Sequence, residues 1–592
     1  MKTHKYNQGV IGNCAYMAHI TDQGEIVWLC LPRFDSSFIF GKLLDQEKGG
    51  GFSIQPAGKF TSKQYYYENT NILVTEFKSK TGEFRLTDWA PRFFNFERYY
   101  KPLMLFRKAE IISGNPEIIV QCDPRGDYGK LVPETQLGSN HIRYSNLGAE
   151  VRLTSNAPLN YILEQKSFAL TETSYFVLSY GAPLEAPLET VAEELLHKTI
   201  IYWRRWVKYS TICNFSQKEV IRSALLLKLH QYQDTGAIIA SSTTSLPEHD
   251  GSGRNWDYRY CWIRDTYYTL AALRNIGQGG ELEKYSHYIH NVAINEDGRY
   301  SPVYSILGDS HFDEKIFNLA GYLGNTPVRI GNQAKEHVQN DVYGQILVSL
   351  LPLYIDHRFV DNRNQNSIAL INQLLDLIDA TMYEPDAGLW EFRNLSQLHC
   401  YTFLFHWAGS AAAQKIGEKL NNVELSTRAT ALKLKAAEQI ERCYDPELKA
   451  YTQAIGSKNL DASLLQLITM NYLDPESQKA KDHLIALADE LKEGESLFYR
   501  YKQQDDFGKP KTTFLICAYW YVEALACVGR VKEAESVFKK LLDYSNHLGL
   551  LSEDVEPATG SQWGNFPQTY SHVGLMNAAF RIARKKDCPD FI

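Results

Sequence analysis

The sequence predicts a chain of two unlike halves: an antiparallel β-sandwich, then an all-helical domain whose helices form an inner and an outer ring. Three observations carry this. Short alternating runs separated by turn residues fill residues from about 5 to 185, the pattern of stacked antiparallel strands. From about Ser216 the apolar spacing becomes that of helices, in about twelve runs. Neighbouring runs then alternate in character. Phe514 to Val528 is apolar almost all round, whereas Lys532 to Leu542 is apolar only at Ala534, Val537, Phe538, Leu541 and Leu542. A helix with one wet face beside a helix buried on every side implies concentric layers. Ile371, Leu374, Leu375 and Ile378 make a second one-sided stripe.

At 592 residues the chain exceeds one ordinary core. The expected division is residues 1–188 for the sandwich, 189–214 for a linker helix and 215–592 for the helical domain. Within the first part, Leu73, Thr75 and Phe77 alternate with polar neighbours, Lys80-Thr81-Gly82 turns, and Phe84 and Leu86 resume, which is a hairpin signal. Similar strands are read at Leu103 to Phe106, Glu117 to Gln121 and Ser174 to Ser179. Gly49-Gly50-Gly51 lacks the G-K-[ST] of a phosphate loop and reads as a turn. The linker runs from Thr190 to Val207 and ends in Tyr202-Trp203-Arg204-Arg205-Trp206.

Composition excludes several classes. The net charge of −7, with no basic stripe, argues against nucleic-acid binding. No apolar run reaches membrane-spanning length, and Met1 to Gly12 has no apolar signal-peptide core. The cysteines, from Cys14 to Cys588, show no C-x-x-C pair and no zinc spacing. Most sit in apolar runs, such as Cys517 and Cys527, and read as buried free thiols. The expectation is a soluble, cytoplasmic protein with no metal and no cofactor, export by a signal-independent route remaining open. Its 37 Tyr, 27 Phe and 10 Trp supply flat apolar faces on which sugar rings can stack.

The loops between helices hold the chemistry. Asn255-Trp256-Asp257-Tyr258-Arg259-Tyr260-Cys261-Trp262-Ile263-Arg264-Asp265 is dense in aromatics, guanidinium and carboxylate. Aromatic faces pack on a sugar ring, while Arg and Asp make charge-assisted bonds to hydroxyls. A helix from about Asp265 to Ile276, stopped at Gly277, sets Arg264 and Asp265 at one rim. The competing reading of that pair is a buried structural ion pair. Asp386-Ala387-Gly388-Leu389-Trp390-Glu391-Phe392-Arg393 places a carboxylate between aromatics. There desolvation favours the protonated form that a general acid needs. Arg329, in Pro327-Val328-Arg329-Ile330-Gly331-Asn332, and Arg500, in Leu497-Phe498-Tyr499-Arg500-Tyr501, read as pocket residues or as cross-loop braces. Leu551-Ser552-Glu553-Asp554 adds a second carboxylate, with an exposed loop acid as its competing reading. Asn565 is expected to cap the last helix, with Gln568 closing a capping box, and His572 to pack in the core.

These motifs, with Trp28-Leu29-Cys30-Leu31-Pro32-Arg33-Phe34-Asp35-Ser36, Thr243-Thr244-Ser245-Leu246-Pro247-Glu248 and Gly564-Asn565-Phe566-Pro567-Gln568, span nearly the whole chain. Together they resemble glycoside hydrolase family 15, the glucoamylase-type enzymes, in their prokaryotic two-domain form. The resemblance implies an (α/α)6 barrel behind the sandwich. It implies an inverting exo-hydrolase releasing β-glucose from non-reducing ends of α-glucans such as maltooligosaccharides, starch or glycogen. By this match Glu391 is the general acid and Glu553 the general base. Arg264 and Asp265 hold the terminal glucose, and Trp262, Trp390, Arg500 and Arg329 line or brace the pocket. Inversion requires the two carboxyls to stand roughly 6.5–9.5 Å apart, leaving room for the attacking water. The run Lys509-Pro510-Lys511-Thr512-Thr513 lacks the acidic residue and glycine that many prokaryotic relatives carry before the residue matching Phe514, a difference on the aglycone side that bears on linkage. Within the family the alternatives are a trehalase or an isomaltose- or dextran-type glucohydrolase. Outside it, the alternative is a non-catalytic glycan-binding or regulatory protein.

Overall fold

The computed structural model describes residues 3–296, 298–359 and 365–586. Two antiparallel sheets form the N-terminal part. One runs Gln8–Gly12, Met17–Thr21, Glu25–Cys30, Gly51–Pro56, Glu117–Asp123 and Phe168–Ala169, with Phe38–Phe40 on its third strand. The other runs Glu134–Leu137, His141–Ser145, Val151–Ser155, Ser174–Tyr180, Met104–Gly114, Gly82–Trp89, Leu73–Ser79 and Phe60–Tyr66. Ile11, Ile20 and Ile26 of the first pack against Phe77, Phe84 and Leu86 of the second.

Both sheets are covered on their outer faces too. Trp89, Phe106 and Val177 of the second sheet pack against Ala192, Leu195 and Leu196 of the helix Leu188–Lys208. Val10, Val27, Trp28 and Phe34 of the first sheet and its loops join the core of the helical domain. Two covered faces explain why Leu103 to Phe106 is a continuous apolar run rather than a clean alternation. The connecting helix passes from one core to the other: its far end buries Trp203 and Val207 against the helical domain.

The helical domain is an (α/α)6 barrel. Its inner helices are Ile263–Asn275, Val342–Ile355, Cys400–Lys419, the short pair Ala462–Leu465 and Gln466–Thr469, Leu515–Cys527 and Thr569–Lys586. Each touches the next, and the last closes on the first. Outside them lie Gln217–His230, Gly279–Asn295, Gln365–Thr381, Val423–Glu441, Gln478–Leu491 and Val531–Leu542. Every residue of Leu515–Cys527 is buried, whereas Val531–Leu542 buries Ala534, Val537, Phe538 and Leu541 and turns its lysines outward. A side chain so buried contributes about 1.5–3 kcal/mol if it is Val, Leu or Phe, so this stripe anchors the outer helix.

Among the described residues no helix is long and apolar enough to cross a membrane. Their cysteines are in no disulfide and are buried except for half-buried Cys122, while Cys588 lies outside the described residues. The last helix begins at Thr569, so Asn565 does not cap it. Its amide instead accepts from Thr243 Oγ1 at 2.9 Å and donates to the Trp256 carbonyl at 2.9 Å, tying two loops.

Candidate active site

The inner helices start at one end of the barrel, and the loops feeding those starts enclose a cavity of about 910 Å³, its open mouth included. Helix N-termini carry partial positive charge, a setting that favours carboxylates. Among the residues expected from sequence, Glu391, Glu553, Arg264, Asp265, Trp262, Trp390 and Arg500 all line this cavity. Arg329 does not. It pairs with Glu314 at 3.2 Å, donates to the Gly253 carbonyl at 2.9 Å and lies 4.6 Å from the Trp256 ring, so it braces that ring from behind.

The Glu391 loop is built on Asp386. Its carboxylate accepts from Asn340 N at 2.8 Å, Thr402 Oγ1 at 2.9 Å and Gly388 N at 3.1 Å. Gly388 takes a φ of 66°, and a Cβ there would lie 2.7 Å from the His399 ring. Glu391 itself has a φ of 60°. Its Oε1 accepts from Trp262 Nε1 at 2.8 Å and Gln339 Nε2 at 3.3 Å, with Arg264 NH2 at 3.5 Å. The enclosure by apolar rings expected from sequence is thus replaced by a set of donors. Arg264 also donates to the Leu389 carbonyl at 2.7 Å and lies 3.4 Å from Asp265, so it is both a member of an ion pair and part of the cavity wall.

Glu553 precedes the strand Asp554–Glu556, which lies between Thr513–Phe514 and Ser561–Trp563. It is buried, not the exposed loop acid of the competing reading. Its Oε1 accepts from Tyr258 OH at 2.7 Å. Burial, and then the nearby Glu248, push its carboxyl up, against the pull of Tyr258 and Arg500. Tyr258 and Trp262, the donors to the two glutamates, meet edge to face at 5.5 Å. His572 is fully buried and accepts from Leu551 N at 3.0 Å, steadying the entry to Glu553.

The dense run from Asn255 splits between two faces. Trp256 and Tyr258 face the cavity. Asp257 and Arg259 form a fully buried pair at 2.7 Å on the other side, where Arg259 donates to the Ser36 carbonyl at 2.8 Å. They clamp the barrel to the sandwich and hold no sugar, and Tyr260 stacks on Phe312 at 4.2 Å. Strand alternation from Asn255 was the signal that separates these residues.

Sequence reading gave Glu248 no role beyond its motif and passed over Arg254 and the turn at Asp505, Asp506 and Phe507, all on the cavity wall. Glu248 forms a close ion pair with Arg500 and accepts from Trp256 Nε1 at 3.3 Å. Arg254 pairs with Asp505 at 2.5 Å. Asp506 accepts from Arg393 N and Asn394 Nδ2, each at 2.7 Å, and Phe507 meets Trp256 edge to face at 5.3 Å. This turn is a wall latched to two other loops.

Among the described residues one acidic group has metal-like spacing: oxygens of Glu248, Glu553 and Asp554 lie within 4.8 Å of one another. A divalent ion does not fit there, because the Arg500 guanidinium already sits on Glu248, with Arg254 at 3.8 Å from it.

The model of glycosyl hydrolases family 15 matches residues 214–580, and that of a trehalase-like N-terminal domain matches residues 6–159. The chain belongs to glycosyl hydrolases family 15. As a family 15 glycoside hydrolase it is an enzyme acting on a carbohydrate. It is similar to a protein of Thermoplasma volcanium named trehalase, 32% identical over 97% of this chain and 93% of that one. It is also similar to a Mycobacterium tuberculosis protein named trehalase, 30% identical over 96% of this chain and 88% of that one. Among solved structures it is similar to a bacterial glucoamylase complexed with acarbose, at TM-score 0.70 and 16% identity, covering 99% of this chain and 95% of that one. That likeness is one of fold.

Proposed function

We propose that this family 15 enzyme is an inverting trehalase that splits α,α-trehalose, two glucoses joined through both anomeric carbons, into two glucose molecules. One observation carries the substrate: relatives 30–32% identical over nearly the full length bear the name trehalase. The glucan reading raised by the sequence rests on motifs shared across the family, and the glucoamylase structure adds only a likeness of fold at 16% identity. The latched turn at Asp505 to Phe507 stands on the cavity wall, and in this reading it limits the room beyond the leaving sugar.

In this reading Glu391 gives its proton to the glycosidic oxygen. Glu553 takes a proton from a water on the opposite face of the ring, and the water oxygen bonds to the anomeric carbon as the carbon–oxygen bond to the leaving sugar breaks. Arg264 and Asp265 grip the hydroxyls of the glucose being attacked, and Trp390 packs on its ring. The attacked sugar leaves as β-glucose. The departing sugar keeps its configuration and leaves as α-glucose.

Proton NMR of the first minutes of reaction tests this: trehalose should yield α- and β-glucose in equal initial amounts, with little release from maltose, isomaltose or glycogen. Faster release from glycogen than from trehalose would refute the substrate. Glu391→Gln and Glu553→Gln should each lower kcat at least about hundredfold with an unchanged far-ultraviolet circular dichroism spectrum. Near-normal turnover in either variant removes that residue from the chemistry.

A further inference from the structure

Glu553 and Asp554 are 2% and 1% exposed, and a base must be ionised to take a proton from water. The two guanidiniums beside them are already engaged, Arg500 on Glu248 and Arg254 on Asp505. Glu553 and Asp554 are therefore left as two carboxyls in a dry place, with no paired cation of their own. Two carboxyls with oxygens within 4.8 Å of each other in so dry a place do not both ionise; the pair keeps one proton.

The donors decide where it sits. Glu553 Oε1 receives the Tyr258 hydroxyl, which favours charge on Glu553. Glu553 Oε2 and Asp554 Oδ2 are both buried without a hydrogen-bond partner. Two bare acceptors on neighbouring acids are satisfied together by one O–H placed between them. We propose that Asp554 is the protonated member of this pair, a positioning residue whose carboxylic O–H is directed to Glu553 Oε2 and keeps Glu553 ionised and aimed. One water or a small side-chain rotation closes the remaining gap. The proposal rests on the reading of Glu553 as the base.

The charges around the pair agree. Burial, Glu553 and Glu248 raise the Asp554 carboxyl well above the usual carboxylate range. The titratable and charged groups facing the pair are Glu248, Arg254, Arg500, Tyr258, Tyr6 from the N-terminal segment and Cys517 from the helix Leu515–Cys527. Tyr6, Tyr258 and Cys517 are raised above their ordinary values and stay neutral near pH 7, and the arginines stay charged.

Infrared spectra of the full-length enzyme, labelled with 13C-aspartate or with 13C-glutamate, test this without substrate. At pH 7, Asp554→Asn should remove a protonated-carboxyl band that moves with labelled aspartate. Glu553→Gln should remove no band that moves with labelled glutamate. The opposite pattern puts the proton on Glu553 and overturns the proposal. In turnover, Asp554→Ala should fall about hundredfold, and Asp554→Asn, whose amide N–H donates the same bond, should recover most of that loss. Equal loss in both variants counts against the donor role. Activity abolished by a chelator and restored only by Mg2+ or Ca2+ would place a cation there instead. A wrong substrate or a wrong base leaves the infrared result standing, so the two readings fail separately.

Discussion

Glu391 stands at φ 60°, a conformation that costs an L-residue about 1–2 kcal/mol. The Asp386 hub and the Glu391 N–H to Gly388 carbonyl bond, at 3.1 Å, hold it there. Strain retained at a cavity wall aims the carboxylate. Gly564 does the matching work for Glu553: it has a φ of 76°, and a Cβ would lie 2.6 Å from Glu553 Oε2. Gly564→Ala should therefore lower kcat about tenfold or more and destabilise by about 1–3 kcal/mol, read by kinetics and thermal melts. Unchanged kinetics would show that Glu553 tolerates displacement. At this scale Glu391, Arg264 and Trp262 were legible because each lies in a short run whose composition suits no ordinary core, whereas Glu553 was legible only through the family resemblance. Glu248 and Asp554 were not, since their meaning arises only when folding sets Arg500 and Glu553 beside them. Arg329 misled because an arginine that braces a pocket ring and one that touches sugar sit in the same kind of sequence.

Helices and strands were easier to read than the loops that join them. The one-sided stripe of Val531–Leu542 and the hairpin Leu73–Ser79 with Gly82–Trp89 follow from periodicity alone. The turn at Asp505, Asp506 and Phe507 has no periodicity, and its partners Arg254, Arg393 and Trp256 come from distant loops. As an element it is held by few bonds. Asp506→Ala removes two hydrogen bonds worth about 1 kcal/mol each, and Phe507→Ala removes the ring contact with Trp256. Either change should raise KM for trehalose about tenfold and raise the rate on maltotriose relative to trehalose. Steady-state kinetics on both sugars checks this, and an unaltered ratio would mean that the turn does not limit aglycone length.

Across the whole molecule, the layers run helix, sheet, sheet, barrel, and Asp257 with Arg259 fasten the last two. Arg259→Ala leaves a buried carboxylate uncompensated and should cost about 3–5 kcal/mol, seen as a lower Tm; an unchanged Tm would deny the clamp. Buried acids set the pH response. The Glu553–Asp554 pair keeps one proton, Asp386 is raised to about 7 by burial and then Asp341, and Glu523 to about 7 by burial. The unfolded chain releases these protons near pH 4. From pH 6.5 to 8 the folded state therefore binds more protons than the unfolded one, and stability falls as pH rises. His230, His399, His406 and His483, lowered to about 4 by burial, add the opposite slope only below about pH 6.5. Calorimetry at fixed ionic strength should show Tm declining from pH 6.5 to 8, and a rise there would contradict the assignment.

The N-terminal segment reaches the hairpin that follows Glu553: Tyr6 OH donates to the Gly564 carbonyl at 2.9 Å, and His4 stacks on Trp563 at 4.7 Å. Tyr6 thus waits for a partner 558 positions later in the chain. A nascent chain can complete its sandwich well before then, yet it cannot seat the hairpin behind Glu553 until that hairpin has been made. Catalytic competence should then arrive in one late step, not grow with chain length.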